Sequence, residues 1–142
     1  MDQELKEKIL RFSNGKEQFS AYNHLEICDI EEGRSRVELH MAPESRNRWG
    51  QPHGGLLFAL ADVACGVALV TLRQESCVTV SAGMDFMAAA GDAEHLIARG
   101  EVTRIGKRTS FCRAEISTAE GKVIAAAHSV WAFTGHPLPL DE

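Results

Sequence analysis

The 142-residue sequence predicts an α+β fold in a single domain over residues 1–142, with an antiparallel β-sheet wrapped around one long central α-helix. Three observations predict it. Gly54–Leu72, GGLLFALADVACGVALVTL, holds one charge, Asp62, and is apolar on every side, which marks a helix buried in a core. After it, stretches of alternating apolar and polar residues read as strands. The turns between them are mostly short, and short turns join antiparallel neighbours.

Taken in order, the chain opens with Leu5, Ile9 and Phe12 at helical spacing, a short amphipathic helix within residues 1–15, with Gly15 as its stop. A first strand is expected around 25–30 and a turn around Gly33. A second strand follows, where Val37, Leu39 and Met41 alternate with Arg36, Glu38 and His40, giving one wet face. Pro43 to Pro52 is polar and irregular, and an ordered loop of that length inside a compact domain is often functional. The apolar helix comes next. Beyond it Val78, Val80, Ala82, Met84 and Phe86 alternate with Thr79, Ser81, Gly83 and Asp85. Leu96, Ala98, Gly100 and Val102 form another such series, then Cys112, Ala114 and Ile116. The last strand, 123–133, is apolar on both faces apart from His128 and Ser129, so it is expected to be central and covered twice. Residues 136–142 are expected to form a flexible tail. One sheet covers only one side of the long helix, so an apolar stripe remains for a second subunit to cover.

Net charge is −5, which excludes the overall basic character that draws a protein to nucleic acid or anionic lipid. The four cysteines form no CxxC pair and none lies at zinc spacing from a histidine, so neither a metal nor a disulfide framework is expected. MDQELKEKIL is charged and lacks the apolar core of a signal peptide; a cytoplasmic protein with reduced thiols is the expectation. Gly54–Leu72 has a central Asp and no basic or aromatic anchors at its ends, so no membrane span is expected.

The helix start and Asp62 carry the chemistry. Pro52, His53, Gly54 and Gly55 open the helix, and two glycines bare backbone N–H groups that a helix start leaves unpaired. Those donors, with the helix dipole, suit an oxyanion; equally, the glycines allow close packing of helix on sheet. Burying an unpaired carboxylate costs several kcal/mol, so Asp62 needs a partner or a raised pKa, which would make it a general base. The alternative is an Asp bonded to nearby backbone or facing a wet seam. Asp62 lies eight residues past Gly54, roughly 12 Å along one helix. An acid and an oxyanion donor must both come within about 3 Å of the reacting group. If both act, Asp62 meets the Gly54 of another subunit, and two helices packed antiparallel about a two-fold axis would give two equal sites.

This segment resembles the signature of hotdog-fold acyl-CoA thioesterases of the PaaI-like group. The matching residues are Asn47, Gly50, His53-Gly54-Gly55, Phe58, Leu60-Ala61-Asp62 and Ala64, and the order of elements resembles the hotdog fold over nearly the whole chain. The resemblance implies a thioester hydrolase acting on an aryl- or medium-chain acyl-CoA. Asp62 would be the base or the nucleophile. Gly54 would donate its N–H to the thioester oxygen, and Asn47 would orient the water or the thioester. His53 would brace the loop. Thr79 would hold the water or the carboxylate, or be an ordinary strand threonine. It also implies a homodimer with shared sites, assembled as a dimer of dimers, and no cofactor beyond the coenzyme A of the substrate.

Arg104, Lys107 and Arg108 in the RIGKR turn, or Arg46 and Arg48 beside Asn47, would grip the coenzyme A phosphates, or simply be solvated charges. Gly55, Phe58 and Phe86 complete the expected substrate contacts, with Met87 and the N-terminal helix as further acyl-pocket wall. Cys65 and His128 are expected to be packing residues of the core, and Trp49 and Trp131 packing residues too. Three rival readings remain at this point: a hotdog hydratase or dehydratase, a thioesterase of a different subgroup with a 4-hydroxybenzoyl-type or long-chain substrate, and a non-catalytic acyl-CoA sensor. The spacing presents no His together with Asp62 for the first, and the chain carries no basic DNA-binding extension for the third.

Overall fold

The computed structural model describes residues 1–15 and 18–142. Its elements are α1 (Gln3–Gly15), α2 (Gln18–Tyr22), β1 (Leu25–Glu31), β2 (Arg34–His40), a 3-10 turn (Pro43–Ser45), α3 (Gly54–Leu72), β3 (Glu75–Phe86), β4 (His95–Arg104), β5 (Ser110–Thr118) and β6 (Val123–Pro137). The six strands form one sheet in the order β1-β2-β4-β5-β6-β3, and every neighbouring pair is antiparallel. The sheet curls around α3, as the composition of that helix requires. This is the hotdog architecture.

The helix lies very close to the sheet. Ser35 Oγ donates to the Ala64 carbonyl at 2.6 Å, and a β-carbon on Gly100 would stand 2.5 Å from that same oxygen. Only glycine fits at 100. Further along, Gly66 leaves room for the buried Trp131, whose Nε1–H donates to Ser129 Oγ at 2.7 Å. The Gly33 N–H donates to Thr71 Oγ1 at 2.7 Å and fastens the β1–β2 turn to the end of α3. By length and mean hydropathy (2.2 over its most apolar stretch) α3 matches a membrane span; here 61% of that stretch is buried inside the protein.

Four expectations are corrected. α2 belongs to no predicted element, because five residues are too few to show a helical period. The segment 136–142 is tied down: β6 runs through Pro137, the Leu138 N–H donates to the Gln74 carbonyl at 3.1 Å, and Asp141 pairs with Lys8 at 2.7 Å. Beyond the buried pair Ile124 and Ala125, β6 is covered on one face only. Its Ala125, Ser129 and Trp131 face the core, whereas His128 is exposed on the outer face, where its ring fills the space a Gly83 side chain would take.

The fourth correction positions the site. The sequence reads β3 as one unbroken alternation with Val78 and Val80 facing inward. The register against β6 shifts between Thr79 and Ser81, a β-bulge. Before the bulge Cys77 and Thr79 face α3; after it Met84 and Phe86 do. Val78 and Val80 are left exposed on an edge strand that has no neighbour beyond it.

Candidate active site

The Asn47–Gly54 segment is a built loop. The Asn47 carbonyl accepts from the Gly50 N–H at 3.0 Å, and the Asn47 N–H donates to the Gln51 carbonyl at 2.7 Å. Gly50 supplies the positive φ of 77° that this turn requires. Asn47 Oδ1 accepts from the N–H groups of Trp49 (2.9 Å) and Gln51 (3.1 Å). Arg46 braces the loop from outside, donating to the carbonyls of Gly50 (2.7 Å) and Ala93 (3.3 Å). Two of its five N–H donors are thereby committed to holding the loop. Trp49 is 79% exposed rather than packed, and Arg48 beside it is exposed.

His53 caps α3. Its Nδ1 accepts from the Gly55 N–H at 2.9 Å, and its carbonyl accepts from Leu56 (3.0 Å) and Leu57 (3.1 Å). The proton of the neutral ring is therefore assigned to Nε2. Gly55 has its N–H occupied in this way. The first-turn amide left without a protein acceptor, among the described residues, is Gly54. A β-carbon there would stand 3.5 Å from the Phe86 ring, an ordinary contact, so packing within the chain does not by itself demand glycine.

Gly54 lines a cavity of about 290 Å³. Asn47, Gln51, Pro52, Leu57, Phe86, an alanine wall at 88–90 and Ile124 line it with Gly54. The alanine wall is pinned at each residue. The Met87 and Ala88 N–H groups donate to the Ile124 carbonyl (2.8 and 3.2 Å), Lys122 Nζ donates to the Ala89 carbonyl (2.8 Å), and the Ala90 N–H donates to Gln51 Oε1 (3.0 Å). The sequence reading missed this wall and Gln51, since three alanines before a turn carry no period. Of the expected wall, Phe86 is present. Met87 lines a groove elsewhere, and α1 packs on β1.

Asp62 lies elsewhere. It is half-buried on α3, in a stripe the sheet leaves partly exposed: Gly55, Phe58, Ala59, Asp62 and Val63 recur at spacings of three and one on one face of the helix. Thr79 Oγ1–H donates to Asp62 Oδ1 at 2.6 Å, a contact that the bulge in β3 makes reachable. Neither residue lines the cavity at Gly54, and Phe58 lies with Asp62 on the stripe. Burial first, and the Asp62 charge second, push the Cys77 thiol up to about 11, so this neighbour stays protonated and unreactive at neutral pH. Cys65 is buried, one turn along α3.

Arg104, Lys107 and Arg108 are exposed at the β4–β5 turn, beyond the row in which Ser110, Trp131 and Thr79 lie in register. Arg73, which sequence reasoning passed over, reaches the same turn: its Nη2 donates to the Gly106 carbonyl at 3.1 Å, and its guanidinium stacks 4.3 Å from the Phe133 ring centroid. The basic cluster thus lies toward the C-terminal end of α3, opposite Gly54. Among the described residues no three His, Cys, Asp or Glu side chains are grouped to hold a metal ion.

A Deinococcus radiodurans protein with a provisional esterase designation is 33% identical over 100 residues, which are 70% of this chain and 67% of that one. A Pseudomonas aeruginosa protein of the same designation is 33% identical over 97 residues, 67% of this chain and 72% of its own length. The match to an Archaeoglobus fulgidus relative, 29% identical, spans 71% of this chain and 65% of that protein. Among solved structures, the Escherichia coli PaaI protein from the phenylacetic acid degradation operon superposes with a TM-score of 0.85 at 23% identity, covering 94% of this chain and 99% of that one. A hypothetical thioesterase of Streptococcus pneumoniae, solved with coenzyme A, gives 0.74 at 26% identity over 80% of this chain and 90% of its own. Residues 50–125, which contain the Gly54 turn, Asp62 and Thr79, match the model of the thioesterase superfamily, and the chain belongs to that family.

Proposed function

We propose that the protein is an acyl-CoA thioesterase that hydrolyses an aryl- or medium-chain acyl-CoA at a site shared by two subunits. The observation that carries this reading is the division of the chemistry within one chain. An unpaired oxyanion donor, Gly54, lines one cavity, while an oriented carboxylate, Asp62, stands on a partly exposed stripe eight residues further along α3. Roughly 12 Å of helix separates them. Two copies of α3 packed antiparallel along that stripe bring the Asp62 of one subunit to the Gly54 of the other.

Hydrolysis then needs few groups. The thioester carbonyl lies at the Gly54 N–H and the positive end of α3, with Asn47 Nδ2 beside it. Water held by Asp62 attacks the carbonyl carbon, and its proton passes to the carboxylate. Charge builds on the carbonyl oxygen, where the N–H and the helix dipole stabilise it. The C–S bond breaks and coenzyme A leaves as a thiolate, whose low basicity beside an alkoxide means that departure needs little acid help; the proton held by Asp62 then passes to the thiolate or to solvent and restores the carboxylate. Thr79 holds Asp62 in one orientation, and His53 holds the loop. Arg104, Lys107, Arg108 and Arg73 suit the phosphates at the other end of the substrate. The coenzyme A reported with the pneumococcal relative supports the substrate class, and that relative has also been solved with an aspartate and with a threonine replaced by alanine.

Thiol release from a panel of aromatic and aliphatic acyl-CoAs tests the reading. Asp62→Asn should lower kcat by at least about a hundredfold while acyl-CoA binding and assembly persist. Near wild-type turnover in that variant would remove Asp62 from the mechanism. Tight binding without turnover of any member would favour the sensor.

A further inference from the structure

The cavity beside Gly54 holds two side-chain amides, and the protein uses only their oxygens. Asn47 Oδ1 accepts from the Trp49 and Gln51 N–H groups, and Gln51 Oε1 accepts from the Ala90 N–H at 3.0 Å. Because each oxygen faces a backbone donor, each amide is fixed the same way round, with its NH2 directed away from that donor. Among the described residues neither Asn47 Nδ2 nor Gln51 Nε2 has a protein acceptor, and neither is a sealed, orphaned atom. Both residues line the cavity, and neither NH2 group is spent on a bond within the described residues.

Their places in it differ. Gly54 stands beside the Phe86 ring, 3.5 Å from where a β-carbon would reach it. Gln51 is bonded to Ala90, four residues further along the same wall. On the proposed reading the thioester oxygen meets Gly54 N–H, with Asn47 Nδ2 close by. A carbonyl oxygen offers two lone pairs, and those two donors use them. No thioester atom is left for Gln51.

We infer that Gln51 Nε2 determines specificity by donating to the acyl group itself. The protein then selects acyl-CoAs whose acyl part carries an oxygen acceptor, a keto or hydroxyl oxygen, a few atoms beyond the thioester. A plain hydrocarbon of equal size would cover that N–H without pairing it, and sites built around a buried donor reject such analogues. This rests on the thioesterase reading for the direction in which the acyl group enters.

Binding to the Asp62→Asn protein tests it apart from turnover. The probes are hexanoyl-CoAs with a keto oxygen at carbon 3, 4 or 5, each paired with the methyl-branched compound of the same shape. At least one keto compound should bind about tenfold more tightly than its partner. Adding Gln51→Glu, which keeps an oxygen for the Ala90 N–H and deletes the donor, should abolish that preference. Gln51→Met should abolish it too, so the result does not depend on the new charge. Equal or weaker binding of the keto member in all three pairs overturns the inference, as does a preference that survives both substitutions. Turnover of the same compounds by the parent protein is read separately. A preference without turnover would overturn the thioesterase reading and leave this one standing, and failure of every acyl-CoA to bind would overturn both.

Discussion

At the residue scale Gly54 differs from every other amide in the first turn of α3. Gly55 donates to the His53 ring, Leu56 and Leu57 donate to the His53 carbonyl, and Gly54 has no acceptor among the described residues. That makes proline a clean probe. Proline is favoured at the first helical position, where its missing N–H disturbs no internal bond. The preceding residue must be extended, and His53 already is, at φ −63° and ψ 131°. Gly54→Pro is therefore expected to fold with its melting temperature within a few degrees of the parent. Its kcat should fall by roughly 10²–10³, the usual cost of losing one oxyanion donor. Thermal unfolding and thiol release on the same preparation check both halves. Retained activity would show that the oxyanion is stabilised elsewhere.

At the scale of elements, the parts legible in the sequence are those that rest on a period or a motif. α3 could be read from its unbroken apolar run, four of the strands from alternation and the last from its apolar stretch, and the HGG-to-Asp spacing from the resemblance. What escaped was made by departures from period. The alternation from Val78 to Phe86 continues straight through the bulge, so nothing in it announces that Thr79 turns toward α3 while Val78 and Val80 turn away. Arg46, equally basic on the page, proved to be a loop brace because carbonyls 4 and 47 residues away come within its reach. Gln51 and the alanine wall have no sequence signal at all; only their hydrogen bonds reveal them. The close approach of α3 to β2 and β4 is likewise hidden, yet it sets where Asp62 points. Gly100→Ala would drive a β-carbon to 2.5 Å from the Ala64 carbonyl and 2.8 Å from Ser35 Oγ. The helix must lift, at a cost of about 1–3 kcal/mol. The melting temperature should drop by roughly 3–10 °C. No change would mean that α3 slides freely on the sheet, and the alignment of Asp62 with Thr79 would then need another cause.

At the scale of the whole molecule, the proposed reading makes one chain half of each site. α3 keeps a stripe from Gly55 to Val63 partly exposed, and β3 beside it is an edge strand with Val78 and Val80 exposed at 53% and 59%. Exposed apolar side chains on an unpaired edge invite a partner strand. A second copy related by a two-fold axis meets both needs at once, covering the stripe and continuing the sheet. On the proposed reading the same operation would carry Asp62 across to the cavity of its neighbour. Assembly and catalysis would then be one requirement, which mixing can test. Asp62→Asn subunits lack the carboxylate but keep Gly54; Gly54→Pro subunits lack the donor but keep Asp62. Each homodimer should be nearly inactive. In a mixed dimer one site combines both lesions, while the other combines an intact Asp62 with an intact Gly54. Purified heterodimers, separated by two different affinity tags after joint refolding, should therefore recover about half the wild-type kcat per dimer. A site contained within one chain gives no such recovery, since every chain in the mixture carries a lesion. Activity that stays at the level of the two parents in confirmed heterodimers would place Asp62 and Gly54 in separate roles and dissolve the shared site.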